Sequence, residues 1–214
     1  MNFSEFVEGP FWYFSAAVFV IGVVWRLVGM LSMGSKTDYS APRASAAGAV
    51  IAINVRRFFP RADFWSRTRL QVVAGYLFHV GLFAVLFFAA PHVDFYRKYV
   101  TGFGWPAMPE WAFILTSEIA FLGLLLLVLH RMMSPVTRLI SSRGDYLGSI
   151  LLFLVMLSGC LALARSYEVL RVTHFFLAEL LLLYFPFSAL MHTFTFPFSR
   201  GFMGVHYGRR GVRA

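Results

Sequence analysis

Apolar residues dominate five segments of the chain, and each approaches or exceeds the roughly 20 residues that a helix needs to cross a bilayer core. The segments run from Phe11 to Ser32, Val72 to Ala90, Trp111 to Leu129, Tyr146 to Ala164 and Val172 to Phe196. Because hydrocarbon offers the backbone no hydrogen-bond partner, each segment is predicted to be a helix. The pattern predicts an all-α integral membrane bundle of five transmembrane helices, forming a single domain over residues 1–214.

The composition agrees with a lipid-facing surface. The chain is 59% hydrophobic and only 14% charged, with a mean hydropathy of +0.69, whereas soluble domains carry about 25% charged residues. The single cysteine, Cys160, lies within an apolar run and has no partner cysteine. This excludes a disulfide scaffold, a thiolate-ligated iron–sulfur cluster and a cysteine zinc site.

Lysine and arginine residues are distributed unequally along the chain. Fifteen of the 19 fall in or beside the predicted loops at 35–70 and 132–145 and in the tail after Arg200. They are Arg26, Lys36, Arg43, Arg56, Arg57, Arg61, Arg67, Arg69, Arg131, Arg138, Arg143, Arg200, Arg209, Arg210 and Arg213. The positive-inside rule therefore predicts an outer N-terminus and a cytoplasmic C-terminus. The formal charge of +9 is therefore attributed to the orientation of the chain in the membrane, and no nucleic-acid partner is expected.

Four of the six histidines fall on the second and fifth predicted helices. A histidine at membrane depth is costly and indicates function. His174 and His192 are 18 residues apart, which is five turns of a continuous helix, so both are expected to point to the same face, and the rise between them is about 27 Å. The orientation then pairs His79 with His192 near the cytoplasm and His92 with His174 near the outer face. The other two histidines, His130 and His206, are interpreted as interfacial and tail residues.

Paired histidines from facing helices are the simplest way to hold haem iron, which accepts one axial imidazole on each face. Two such pairs predict two b-type haems and a path for electrons across the membrane. An ideal helix would put His79 and His92 about 140° apart, and Pro91 is expected to end or distort the helix there. The alternative is that His92 is an interfacial loop residue, which leaves one haem.

Small residues near these histidines have two interpretations. Gly75, Gly81, Ala84 and Gly159 would let a flat macrocycle approach the helices. They would equally serve close helix–helix packing, for which small residues are common in membranes.

The chain resembles the gamma-subunit family of respiratory nitrate reductase and the related cytochromes b of heterodisulfide-reductase-like and sulfite-reductase-associated membrane complexes. The most specific stretch runs from His174 to His192 and includes Phe185-Pro186-Phe187-Ser188, as in the last helix of that family. Phe78-His79-Val80-Gly81 resembles the start of the family's second helix, and residues 141–146 resemble the start of its fourth.

One position separates the two branches of this family. The nitrate reductase branch has its outer ligand ten residues after the inner one, and that position is Ala89 in this chain. His92, three residues later and after a proline, looks more like the heterodisulfide-reductase-like branch. The segment Phe196-Pro197-Phe198-Ser199-Arg200 is also closer to that branch.

The resemblance implies a multi-pass subunit of a bacterial or archaeal cytoplasmic membrane. Such subunits exchange electrons and protons with quinone near the outer face and anchor a cytoplasmic iron–sulfur subunit, so the chain would be one part of an oxidoreductase rather than a complete enzyme. The outer loop offers polar groups for quinone, and Glu179 lies five residues after His174. Lys98 and Glu179 are the predicted quinone-site residues. The basic, aromatic segment 54–67 and the arginine tail are predicted to contact the iron–sulfur partner or anionic lipid headgroups.

Two other functional classes compete with a haem-binding electron-transfer subunit. One is a non-haem membrane anchor or assembly subunit, in which the histidines only bond to neighbouring helices. The other is a small transporter with a proton relay of His and Glu, but repeats and broken helices would be expected there. The direction of electron flow, the terminal substrate, the quinone type and the oligomeric state do not follow from the sequence.

Overall fold

The computed structural model describes residues 2–34, 39, 41, 43, 45–164 and 167–212, and within these residues it is helical without strands. Lys36 and Arg213, which entered the charge distribution above, lie outside the described residues. The helices are α1 (Phe3–Phe6), α2 (Trp12–Ser32), α3 (Ala46–Arg56), α4 (Trp65–Phe88), α5 (Ala90–Tyr96), α6 (Glu110–Met133), α7 (Pro135–Ile140), α8 (Arg143–Ala164), α9 (Glu168–Tyr184) and α10 (His192–Arg209).

Five apolar helical stretches of the described chain are long enough to cross a membrane. They are Phe3–Ser32, Ala62–Phe88, Glu110–Met133, Arg143–Ala164 and Glu168–Phe187. The prediction of an all-α, multi-pass membrane protein is therefore confirmed. Most of these helices extend beyond the predicted apolar segments because polar residues form their first turns.

Local capping explains two of these early starts. The side chain of Asn2 accepts a hydrogen bond from Glu5 N at 2.8 Å, and Asn2 N donates to the Glu5 carboxylate at 2.9 Å. At the start of α8, Ser142 N donates to Asp145 Oδ2 at 2.7 Å, and Asp145 N donates to Ser142 Oγ at 3.3 Å. Both are capping boxes, which satisfy the unpaired N–H groups of a first helical turn.

The predicted fifth helix, 172–196, is not one continuous helix. α9 ends at Tyr184, and two short 3₁₀ turns, Phe185–Phe187 and Ala189–Met191, precede α10. Pro186 has no N–H for the helical ladder, and Ser188 is extended at φ −119° and ψ 176°. The five-turn argument that put His174 and His192 on one helix face is therefore wrong.

Segments predicted as loops or tail contain further helices. α3 lies in the predicted loop 35–70, and α7 lies in the predicted loop 132–145. α5 overlaps the start of the loop predicted after the second helix, and α10 includes most of the predicted tail. Ser45 caps α3 by accepting a hydrogen bond from Gly48 N at 3.3 Å, and Pro135 opens α7. These helices are shorter or less apolar than a membrane span, so the search for 20-residue apolar runs missed them.

The chain divides into two compact units, Asp63–His174 and a second made of Met1–Ala62 with Phe175–Ala214. In the first, α4 and α6 pack closely at Gly81. An added Cβ on this residue would lie only 2.7 Å from Thr116 O. The buried residues Phe78, Ala120, Leu124 and Met156 form its core. In the second unit, Gly22 of α2 lies against the ring of Pro186.

Candidate functional site

His92 lies just after a break between two helices. α4 ends at Phe88, Ala89 is extended (φ −64°, ψ 135°), and Pro91 occupies the first turn of α5. This break turns the chain back, and the His92 ring reaches the end of α4. Its Nδ1 lies 3.1 Å from both Val85 O and Leu86 O. The angle of about 140° expected for a continuous helix does not apply, because no continuous helix joins His79 to His92.

His174 lies on α9 against α8. Its Nδ1 is 3.1 Å from Val155 O and 3.2 Å from Ser158 Oγ. Ser158 is buried and its hydroxyl donates to Val155 O at 3.0 Å. The ring lies over Gly159, where an added Cβ would be 2.9 Å from Cε1 of His174. Gly159 therefore makes room for an imidazole ring.

The structure brings the rings of His92 and His174 together within the unit Asp63–His174. Their centroids are 6.1 Å apart and their planes differ by 21°. Two metal–imidazole bonds of about 2 Å, plus about 1 Å from each nitrogen to its ring centre, give a separation of about 6 Å in a bis-imidazole site. Ordinary aromatic pairs span about 4.5–7 Å, so the distance alone does not distinguish a metal site from ring packing.

The hydrogen bonds of the two rings add chemical information. A backbone carbonyl only accepts, so Nδ1 of each ring carries the proton and Nε2 carries the lone pair. Imidazoles that bind metals through Nε2 commonly donate their other N–H in this way. Burial also lowers the pKa of His92, which favours the neutral ring that a metal requires. The pair thus fits two axial ligands of one haem iron.

His79 and His192 adopt the same tautomer, each in its own unit. His79 Nδ1 lies 2.7 Å from Gly75 O, and His192 Nδ1 lies 2.7 Å from Ala189 O. His192 is the first residue of α10. The pairing of His79 with His192 stays a prediction. By contrast, His206, interpreted above as a tail residue, contacts the Arg210 side chain through its ring nitrogens.

The small residues near the histidines divide between the two predicted roles. Gly81 supports the α4–α6 contact, since an added Cβ would also meet Ala120 Cβ at 2.8 Å. At Gly75, one turn before His79, an added Cβ would meet no atom of the described residues within 4 Å. There is therefore open space beside His79, whereas the space beside Gly81 is occupied by α6.

Within the described residues, no three His, Cys, Asp or Glu side chains are grouped as a metal site would need. Two imidazoles complete the coordination of a metal only where another ligand set supplies the remaining positions. Haem does this, because its macrocycle occupies four positions and leaves two axial ones.

An open cleft of about 420 Å³ lies beside α5, in the segment between α4 and α6. Its lining includes Val93, Asp94, Arg97 and Trp105. Arg97 pairs with Asp94 at 3.0 Å, and Trp105 donates from Nε1 to Phe87 O at 2.7 Å. The cleft therefore combines an apolar wall with one cation and one carboxylate, next to the helix that carries His92.

The two predicted quinone-site residues fall in different units, and each is described alone. Lys98 is exposed and its Nζ lies 4.9 Å above the Tyr99 ring. Hydrogen bonding to Tyr99 raises the pKa of Lys98, so its amine is protonated at neutral pH. Glu179 is only 2% exposed, and its buried Oε2 has no hydrogen-bond partner among the described residues.

Sequence reasoning missed part of what positions the His92–His174 pair. The carbonyl groups of Val85, Leu86 and Val155 carry no sequence signal, because any residue supplies one. Ser158 is one of many serines in apolar helices, and nothing in its spacing marked it. Gly159 was recognised as a small residue close to the histidines, but its contact with the imidazole ring required the structure.

Comparison with known proteins adds little to this description. A protein of Nitratidesulfovibrio vulgaris (strain Hildenborough) is 26% identical over 215 residues, covering 96% of this chain and 94% of its own length. It carries only the name "Protein", which says nothing of an activity. No protein-family model matches the chain, and no solved structure matches it.

Proposed function

We propose that this chain is a b-type cytochrome subunit that carries electrons between quinone in the membrane and a cytoplasmic iron–sulfur partner. The observation that supports it most directly is the His92–His174 pair, with ring centroids 6.1 Å apart and both Nδ1 atoms hydrogen-bonded to backbone carbonyls. Haem, when bound, supplies an iron that gains and loses one electron at a time.

The chain's own residues would orient the two axial imidazoles. The carbonyls of Val85, Leu86 and Val155 fix the Nδ1–H tautomer and increase the basicity of Nε2. Gly159 has no side chain, so it leaves room for the His174 ring against α8. A second haem nearer the cytoplasm, with His79 and His192 as its ligands, stays a prediction from the sequence alone.

The outer cleft beside α5 would accept the quinone headgroup. Arg97, with Lys98 one residue later, supplies hydrogen-bond donors for a quinone carbonyl. Asp94 supplies a carboxylate that can take a proton from a quinol hydroxyl. Glu179, buried in the second unit, is proposed as a further proton-binding group, since an unpaired carboxyl at membrane depth indicates such a role.

The proposed location is the cytoplasmic membrane of a bacterium or archaeon. The exposed arginines Arg56, Arg57 and Arg61 would then face the cytoplasm, where they can contact an acidic surface of the iron–sulfur subunit. The chain alone would not complete a catalytic cycle, because the reaction at the terminal substrate belongs to that partner.

The test is a haem count on the purified protein. Protein from haem-replete cells, in mild detergent, is expected to contain two b-type haems per chain by the pyridine haemochrome assay. His92→Ala and His174→Ala should each remove one haem. His130→Ala is the matched control, because His130 was not assigned to a haem, and it should retain both.

Two outcomes would contradict the proposal in different ways. A full haem count in both His92→Ala and His174→Ala would remove the outer pair as ligands. Wild-type protein without haem would withdraw the cytochrome and favour a membrane anchor whose histidines only connect helices.

A further inference from the structure

Helix α10, near the end of the chain, packs closely against α3. Gly204 and Gly208 lie against Ala49, where added Cβ atoms would approach Ala49 O at 2.6 Å and Ala49 Cβ at 2.7 Å. Asn54 joins the helices by donating from Nδ2 to Val50 O at 3.1 Å and to Pro197 O at 3.2 Å. This helix pair therefore has a well-defined seam.

Arg200 lies at one edge of that seam between two phenyl rings. The carbon at the centre of its guanidinium is 5.1 Å from the Phe58 ring centre and 4.9 Å from that of Phe196. Its buried NH1 atom has no hydrogen-bond partner within the described part of the chain. The aromatic rings hold the guanidinium in place by cation–π contact, but they supply no acceptor for its N–H groups.

The helix pair contains no group that would neutralise this cation. Residues 45–62 and 192–212 include no Asp or Glu, but they include Arg56, Arg57, Arg61, Arg200, Arg209 and Arg210. A partly buried charge without a counter-ion is costly. The missing anion must therefore come from outside this pair of helices.

The surroundings of Arg200 favour a lipid as the source of that anion. Phe198 and Phe202 on α10 and Phe59 just after α3 are exposed, with exposed fractions of 46%, 59% and 71%. Aromatic side chains mixed with arginines are typical of the membrane–water interface. α10 also begins five residues after the last span, which ends at Phe187.

A second buried atom on the seam narrows the choice of lipid headgroup. Asn54 Oδ1 is buried without a hydrogen-bond partner among the described residues. Asn54 lies on α3 four residues before Phe58, which follows the end of that helix, and its partner Pro197 lies three residues before Arg200 on α10. The seam thus lacks an acceptor for Arg200 and a donor for Asn54, and a phosphodiester whose headgroup carries hydroxyls supplies both.

We propose that Arg200, with Phe58, Phe196 and Asn54, forms a binding site for an anionic phospholipid of the phosphatidylglycerol class. The phosphate accepts from the guanidinium, which matches phosphate oxygens better than an ammonium does, and a headgroup hydroxyl donates to Asn54 Oδ1. The site is independent of haem and of the quinone cleft, so it stands or falls separately from the proposed cytochrome function.

The test measures lipid binding to the full-length protein after delipidation in detergent. Native mass spectrometry with added phosphatidylglycerol is expected to show a bound lipid that Arg200→Lys binds about tenfold more weakly, because a planar two-point contact is lost. Arg138→Lys is the matched control, an exposed arginine on α7 outside the predicted headgroup-binding segments, and its replacement should leave this affinity unchanged. Phosphatidic acid, which lacks headgroup hydroxyls, and phosphatidylcholine, which lacks net charge, should bind more weakly than phosphatidylglycerol.

Several results would overturn the proposal. They are equal lipid affinity in Arg200→Lys and Arg138→Lys, equal binding of phosphatidylcholine, and full competition by millimolar glycerol 3-phosphate, which would indicate a free-phosphate site. Binding of the iron–sulfur partner that depends on Arg200 without any lipid effect would assign the surface to a protein instead. A matching melting temperature and circular dichroism spectrum in the two variants establish that both are folded, and an Arg200→Gln variant repeats the comparison if Arg200→Lys does not fold.

Discussion

At the scale of single residues, four histidines share one hydrogen-bond pattern. His79, His92, His174 and His192 each direct Nδ1 to a backbone carbonyl, at 2.7 to 3.1 Å. The sequence singled out all four as candidate ligands from their predicted membrane depth. It could not identify the tautomer, because the accepting carbonyls are set by the backbone around each ring.

Replacing Gly159 with alanine should disturb the His174 ring. An added Cβ would lie 2.9 Å from Cε1 and 3.2 Å from Nδ1 of His174, and overpacking of this kind costs about 1–3 kcal/mol. The Gly159→Ala protein should therefore lose its outer haem more readily, by about tenfold for each 1.4 kcal/mol. The measurement is haem retention during dilution of the purified protein.

Gly29→Ala is the control for this substitution, because an added Cβ at Gly29 meets no atom of the described residues within 4 Å. Its haem retention should equal that of the wild type. If Gly159→Ala also retains haem like the wild type, the His174 ring does not need its position over Gly159 to bind haem.

At the scale of helices, prolines and glycines decide where elements end and how closely they approach. Pro91 and Pro186 stand at the two breaks that divide predicted spans from the segments after them. The sequence anticipated a distortion at Pro91 but treated 172–196 as continuous. A proline inside an apolar run is ambiguous, since membrane helices tolerate proline when neighbours satisfy the backbone.

The contact between α4 and α6 should be sensitive to a single methyl group. In Gly81→Ala the new Cβ would lie 2.7 Å from Thr116 O and 2.8 Å from Ala120 Cβ, so the helices must separate. We expect the free energy of unfolding to fall by about 1–3 kcal/mol. Unfolding in detergent with increasing dodecyl sulfate, followed by circular dichroism, measures this change.

Gly75→Ala, on the same helix α4, provides the comparison for Gly81→Ala. No atom from elsewhere in the described part of the chain lies within 4 Å of the new Cβ, and alanine favours a helix interior over glycine by about 0.5–1 kcal/mol. The stability of Gly75→Ala should therefore match or exceed that of the wild type. Equal stability of Gly81→Ala and Gly75→Ala would contradict a close contact at Gly81.

At the scale of the whole molecule, the unequal distribution of arginines predicts orientation. Arg56 is exposed at the end of α3, and Lys98 is exposed just after α5. If the N-terminus is outside, these two positions face opposite sides of the membrane. Both can be probed separately, because Cys160 is the single native cysteine.

Labelling of single cysteines should report this orientation. In a Cys160→Ala background, Lys98→Cys should react with a membrane-impermeant maleimide in spheroplasts, whereas Arg56→Cys should react only after permeabilisation. Both should react equally in detergent, which controls for intrinsic reactivity. The opposite pattern in spheroplasts would reverse the predicted topology and put the proposed quinone cleft on the cytoplasmic side.

The sequence by itself determined the solvent of this protein and its helical class. A chain with 14% charged residues cannot cover a globule with polar groups, and apolar runs in lipid can satisfy their backbone only as helices. The helices α3, α5, α7 and α10 escaped that reasoning, because their stability comes from caps and from packing against other elements rather than from long apolar runs.

Only the tertiary structure decided which side chains meet. The proximity of His92 and His174 depends on the turn at Ala89 and on the space above Gly159, and the Arg200 site depends on α3 lying against α10. These contacts join residues that are distant in sequence, and their distances follow from packing between helices. A periodic pattern records which face of one helix is apolar, but it contains no information on which neighbour that face contacts.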